Sequence, residues 1–445
     1  MRAAFHRLSF IVPLSLALSV AALAAAAGAT AVVHKPAVEV KSAPDFGSTT
    51  VTTLKRDQKI TVAGQQGLWF KVETAGGAGF VRVNDVRMST GTAAKGGKGG
   101  LFKNMAGAGQ VKETAGVRGL NENDLKVASF NAQEFAELEA NRVAPQAAAQ
   151  HAKGHGLKTR KVEYAAEFKP NAKAGKGSAS QAQKRGGLSA LRGVLGAIGV
   201  GGTAGSAIDV ASATTGKSEA EQSAEELALG PEIAGRVLGA ANLVDDPAAQ
   251  ERVNRIGRWV ASQTTRPDLP WSFGVIKTGD INAFAAPGGY ILITQGLYEL
   301  LDTDDEVAAV LGHEISHAVQ RDHYNVIQKQ HSTAELKDIA ASNVTVGGGV
   351  AGSMVKDYVA RFGASVLMQR LDQDVEYRSD EAAEIYLARA GYDPLALYMV
   401  LQKMAARGSA KGNLEQLYKT HPSLEARMDS LDGRSAKVAG YTASK

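Results

Sequence analysis

Cysteine is absent from all 445 residues. Disulfides, thiolate-held metals and lipid attachment through an N-terminal cysteine are therefore excluded. Aromatic residues are scarce at 6%, against 49 glycines, a balance that points to long, loosely packed connecting segments. Neither sign of charge is in large excess. A formal net charge of +5 gives no reason to expect nucleic acid as a partner, and fits weak peripheral attraction to cell wall or lipid headgroups. Apolar runs near membrane-spanning length are also few. Residues 8–23 are apolar behind Arg2, His6 and Arg7, and small residues follow at 24–29. That pattern predicts a secretory signal at 1–28, removed on export, rather than a retained anchor. The chain is thus expected in a bacterial periplasm, and not as a lipoprotein. Residues 191–208 are apolar too, but Arg192 and six glycines mark them as a packing segment rather than a span.

The length suggests about two or three domains. Residues 29–90 read as a small all-β unit, with alternating or β-branched runs at 38–40, 50–54, 59–62, 69–72 and 79–83. Gly64, Gly67, Gly76, Gly77 and Gly79 separate them. The run from Lys59 through Trp69 to Phe80-Val81 resembles a bacterial Src-homology-3-like barrel, which implies a contact for cell-wall material or peptide segments. Residues 91–116 are a Gly/Ala/Lys-rich linker, and 117–168 a small helical segment. A second linker at 169–217 leads into the largest unit, 218–435, and 436–445 form a tail. In that unit Ile233, Val237, Leu238, Val253, Ile256 and Val260 predict two amphipathic helices. Residues 271–276 and 289–294 predict strands.

The richest stretch is His313-Glu314-Ile315-Ser316-His317, an H-E-x-x-H pattern inside a helical segment. Residues four apart lie one turn apart on nearly the same helix face, so both imidazoles can address one metal ion. Glu314 stands beside them as a base for a metal-held water. Thr303 and Glu306 form a capping box ahead of it, and Val307, Val310, Leu311 and Ala318 supply a buried face.

Zinc commonly takes a third protein ligand and leaves a fourth position open. One candidate is His323, in a metzincin-like spacing with Gln320 at the position where that signature has glycine. Glutamine favours helix, so the helix is expected to continue past 320 and carry His323 out of reach. The other candidate is Glu376, in Asp374-Val375-Glu376 ahead of a helix stopped by Gly391 and Pro394. Glu376 and Asp380 share a face, so Glu376 can complete the metal shell while Asp380 holds the ring N–H of His313 or His317. Alone, such residues read as a solvated acidic face. Downstream of H-E-x-x-H the metal role is preferred.

Together His313-Glu314-x-x-His317, Glu376-x-x-x-Asp380, Tyr392-Asp393-Pro394, the segment from Asn282 to Ile291, and His421-Pro422 with Arg427 resemble the gluzincin family of the heat-shock protease HtpX and the CAAX prenyl endopeptidases, in its soluble periplasmic branch. The resemblance covers roughly residues 221–431. Ser379 departs from the usual alanine there without touching a ligand. The resemblance implies one Zn2+ per chain and endopeptidase activity on protein or peptide substrates. It also implies a substrate-pairing edge strand at 289–294, with Asn282, Ala283, Phe284, Gly289 and Tyr290 at the substrate, and His421 at the cleft. There His421 either stabilises the oxyanion or plugs the open zinc position, and the plug is preferred. Residues 324–370 form either a lid over the cleft or a disordered insertion.

The expected fold is multidomain α+β: a mainly helical zincin peptidase domain with a small β-sheet, preceded by a small all-β barrel. The expected function is zinc-dependent hydrolysis of envelope or misfolded proteins. The alternative is a non-catalytic chaperone or cell-wall-binding adaptor stabilised by zinc, which would not need Glu314 beside its ligands.

Overall fold

The computed structural model describes residues 29–89, 119–168, 219–330, 358, 362–407 and 414–434. The expected signal, both linkers, the segment at 191–208 and the tail lie outside the described residues. So does most of 324–370.

Seven antiparallel strands make the first unit: β1 (Ala29–Val33), β2 (Ala37–Lys41), β3 (Thr50–Lys55), β4 (Lys59–Gln66), β5 (Trp69–Thr74), β6 (Gly77–Arg82) and β7 (Val86–Met88). Their order is β3-β2-β6-β5-β4-β1-β7. Alternation drives it, since β2 buries Val38 and Val40 while β4 buries Ile60 and Val62. The sequence reading found five of the seven strands and missed β1 and β7.

Helices α1 (Glu122–Val127), α2 (Ala132–Ala140) and α3 (Pro145–Gly154) start at side-chain or proline caps. They form no core of their own. They pack on α4 (Glu219–Ala240), α5 (Pro247–Ala261) and strand β8 (Ser272–Ile276). Strands β9 (Ala283–Ala286) and β10 (Tyr290–Thr294) complete a small sheet of order β8-β10-β9. Here the structure corrects the sequence. Strand β10, expected at the sheet's edge, is central, parallel to β8 and antiparallel to β9. The outer strand on the β9 side is one that the alternation of Ala283-Phe284-Ala285-Ala286 signals weakly.

After the short α6 (Gln295–Tyr298) comes α7 (Asp304–Gln320), which carries H-E-x-x-H. Thr303 and Glu306 make the predicted capping box, and residues 306–319 are buried. Helix α8 (Gln373–Ala390) packs along α7. Gly312 permits this close approach, since a Cβ there would lie 3.1 Å from Leu387 Cδ1. Helices α9 (Ala396–Arg407), α10 (Glu415–Thr420) and α11 (Leu424–Arg434) close the domain. The two-unit α+β architecture is the one expected.

The barrel is seated on the helical domain. Fully buried Gln402 in α9 accepts from the Met88 N–H at 2.8 Å and donates to the carbonyls of Val83 and Val86. Arg87 reaches Asp429 and Asp432 in α11. Gln65 donates to Glu306 at the start of α7.

Candidate metal centre

Helix α7 presents His313 and His317 one turn apart, with their Nε2 atoms 3.2 Å from each other. From α8, Glu376 brings Oε2 to 3.5 Å from His313 Nε2, and Oε1 to 3.8 Å from His317 Nε2. His421, the extended residue after α10, places its Nε2 3.5 Å from the same Glu376 Oε2. These four groups form one cluster.

The other ring nitrogens are already engaged. His313 Nδ1 lies 2.8 Å from Asp380, His317 Nδ1 lies 2.9 Å from Asp322, and His421 Nδ1 lies 2.8 Å from Thr420 Oγ1. Ser379, expected to touch no ligand, does so: its Oγ lies 3.3 Å from His317 Nδ1. An Nδ1–H held by a carboxylate leaves the Nε2 lone pair pointing inward. Two inward lone pairs at 3.2 Å repel each other unless a proton or cation lies between them. Glu376 Oε2 is also buried with no hydrogen-bond partner. Two nitrogens bound tetrahedrally at zinc distances would stand about 3.4 Å apart. The donor set therefore fits a zinc ion.

The charges around the cluster agree. Burial opposes ionisation of Glu376, yet His421, His313 and His317 hold its carboxyl well below the usual range. Asp380 is buried too, but the fork of Arg427 (2.6 and 2.9 Å) helps hold its pKa down to about 2. Burial pushes His421 down to about 3, so its imidazole is neutral. Glu314, 5% exposed and the neighbour of His313, has its pKa raised chiefly by burial.

Next to Glu314 lies a cavity with apolar walls from Val310, Leu397, Leu401, Met404 and Leu417. Its main uncharged polar wall is Asn282, whose Oδ1 is buried and unpartnered. Ala283 lines it as well. The other residues expected at the substrate lie elsewhere. Successive residues of a strand face opposite sides, so Phe284 and Tyr290 enter the core on the face away from α7. The Tyr290 hydroxyl bonds Arg142 and Glu139. Gly289, with φ 94°, belongs to the β9–β10 turn. The expectation narrows to Asn282 and Ala283.

A second correction concerns the end of α7. The helix stops at Gln320 rather than running on, because Arg321 takes a left-handed conformation with φ 61°. That geometry costs a non-glycine residue about 1–2 kcal/mol. His323 is buried after this turn, with its ring centroid 5.9 Å from that of His317. Burial pushes its pKa down to about 4, and it bonds the Ala285 backbone. It stands outside the four-group cluster, for a reason other than helix continuation.

Three residues at the site escaped the sequence reading as site residues: Asp322, Arg378 and Arg427. Arg378 grips both oxygens of Asp322 (2.5 and 2.7 Å), as Arg427 grips Asp380. The spacing of Asp322 hid it, because on a straight helix it would lie about 140° around from His317.

Comparison with known proteins agrees with this geometry. Residues 247–435 match peptidase family M48, and residues 36–86 match the bacterial SH3 domain. The beta-barrel assembly-enhancing protease of Escherichia coli (strain K12) is 26% identical over 216 residues, 48% of this chain and 44% of that protein. Metalloprotease LoiP of the same strain is 27% identical over 165 residues, 37% of this chain and 63% of that protein. The mitochondrial metalloendopeptidase OMA1 of Schizosaccharomyces pombe is 25% identical over 180 residues, 40% and 51% respectively. The chain thus spans about half the length of the curated relatives it matches. It is similar to peptidase family M48 over residues 247–435, with a match to the bacterial SH3 domain ahead of it at residues 36–86.

Proposed function

We propose that this chain is an exported zinc metalloendopeptidase that cuts envelope or misfolded proteins in the periplasm. The observation that carries the reading is the buried convergence of the Nε2 atoms of His313, His317 and His421 with a Glu376 oxygen that has no hydrogen-bond partner, with Glu314 alongside. His313, His317 and Glu376 hold the ion. Bound zinc supplies a Lewis acid that polarises a carbonyl and lowers the pKa of water toward neutrality. Glu314 accepts the proton of the attacking water and returns it to the leaving amine. Its raised pKa suits a group that must both take and give up a proton. Asp380 and Asp322 fix the ring tautomers of His313 and His317, and the arginines behind them keep both carboxylates charged.

Asn282 Oδ1 and the outer strand β9 offer hydrogen bonds to an extended substrate, and the cavity takes an aliphatic side chain beside the scissile bond. Export rests on the signal-like residues 1–28. Among the described residues no helix is long and apolar enough to cross a membrane. The barrel presents exposed Phe46, stacked edge-on against Trp69 at 5.0 Å. That supports a contact for envelope material, with weak membrane attraction from the net positive charge. The test is to incubate zinc-loaded protein with unfolded envelope proteins and map the new termini by mass spectrometry. Cuts that vanish with a chelator, and that carry aliphatic residues at one flanking position, are expected. A fully metal-loaded protein that cuts none of them overturns the reading.

His421 serves this centre as a plug, sitting at ligand range of the metal position. His421→Ala is therefore expected to raise basal proteolysis or self-cleavage. A variant that stays zinc-loaded but loses about a hundredfold in rate would instead make His421 an oxyanion donor.

A further inference from the structure

The end of the metal helix is held by a buried ionic knot. Glu226 of α4, fully buried, accepts from Arg321 Nε at 2.7 Å and from both terminal nitrogens of Arg266 at 2.9 and 2.7 Å. Arg266 also donates to the Ala318 carbonyl in the last turn of α7, which accepts from the Arg321 backbone N–H as well. Arg321 further reaches Ser223 and Glu219. The ring of Phe168 lies within 5.2 Å of the Arg321 guanidinium and 5.6 Å of that of Arg266. Nothing in this knot touches the metal position. Its product is the backbone: with Arg321 left-handed, the helix is interrupted before it resumes at 322–330, and Asp322 lies 2.9 Å from His317 Nδ1.

We propose that Arg321 is a positioning residue for the metal ligand His317, its left-handed turn swinging Asp322 onto the ring while its guanidinium, gripped by Glu226, holds that turn closed. This rests on the zinc reading above and extends it to a residue that neither binds metal nor meets substrate. The turn and the charge do different jobs. The guanidinium offsets the cost of a left-handed turn that any side chain resists and glycine does not, whereas the turn itself sets the orientation of His317.

A side-chain series separates them, with the zinc dissociation constant of the full chain measured by competition against a chromophoric chelator. Arg321→Gly, Arg321→Ala and Arg321→Val all lose the guanidinium, so all three should melt earlier than the parent. Only glycine adopts the left-handed turn freely. Arg321→Gly should keep zinc affinity within about threefold, whereas Arg321→Val should lose about 10–100-fold, the range typical for removing a carboxylate behind a metal-binding histidine. Arg321→Ala carries the comparison should the valine variant fail to fold. Asp322→Asn should lose as much as Arg321→Val, and the double variant no more than either. Equal losses across the series, no loss at all, or additive losses in the double variant overturn the proposal. A parent protein that binds no zinc overturns the metal reading instead.

Discussion

Glu314→Gln is expected to lose hydrolysis by about a hundredfold to ten-thousandfold, the usual contribution of a positioned acid–base group, while zinc stays bound near one per chain. The amide keeps the size of the side chain and cannot accept the proton of the attacking water. Glu314 makes no contact that holds His313, His317 or Glu376, whose anchors are Asp380, Asp322 and the packing of α8 on α7. The raised pKa gives a second, opposite-signed check. A carboxyl whose folded pKa lies above its unfolded value contributes stability at low pH and loses it as pH rises. At neutral pH the metal-free parent thus bears a burial cost that the amide lacks, so the variant should melt no earlier than the parent. The measurements are kcat/KM on casein, zinc content after dialysis and a thermal scan. Casein cut at the parental rate would remove Glu314 from the mechanism.

Glu376→Ala should empty the site. It removes the one carboxylate among the four clustered groups and leaves three imidazoles with no anionic ligand on the side that faces the metal position. Two neutral histidines with His421 hold zinc far more weakly than a set that includes a carboxylate whose ionised form the cluster already favours. Zinc content after dialysis should fall from near one to a small fraction, and activity with it. His323→Ala is the control. That ring bonds the Ala285 backbone and lies outside the cluster, so zinc content should remain near one. The reverse pattern would make His323 the third ligand and return the chain to a metzincin-like arrangement.

The parts of this site that depend on local chain physics were legible in the sequence. Thr303 and Glu306 announced the start of α7, Gly391 the end of α8, and the four-residue spacings put His313 with His317 and Glu376 with Asp380 on shared faces. The parts that depend on distant partners were hidden. Arginine has no preference for left-handed backbone, so nothing near position 321 announces a turn. Glu226 and Phe168, which hold it, lie far upstream, and without that turn Asp322 cannot be recognised as the partner of His317. The sheet failed for a related reason. Which strand is outermost depends on pairing, and the short, alanine-rich β9 carries less β signal than β10. Arg427 entered the sequence reading only through a resemblance, because its role needs Asp380 from another helix.

The seat of the barrel changes how separable the two units are. Gln402 completes the hydrogen bonding of three backbone groups of the barrel from inside α9. Pulling the barrel away would hand those groups to water and forfeit the net worth of each hydrogen bond, about 0.5–1.5 kcal/mol. It would also free Asp429 and Asp432 from Arg87, on the helix whose first turns carry Arg427. In engineering terms the peptidase domain is not a portable module. A version trimmed of its barrel would begin life with a frayed α9–α11 face, and grafting a different SH3 domain in its place would require a glutamine-shaped socket at the 83–88 edge.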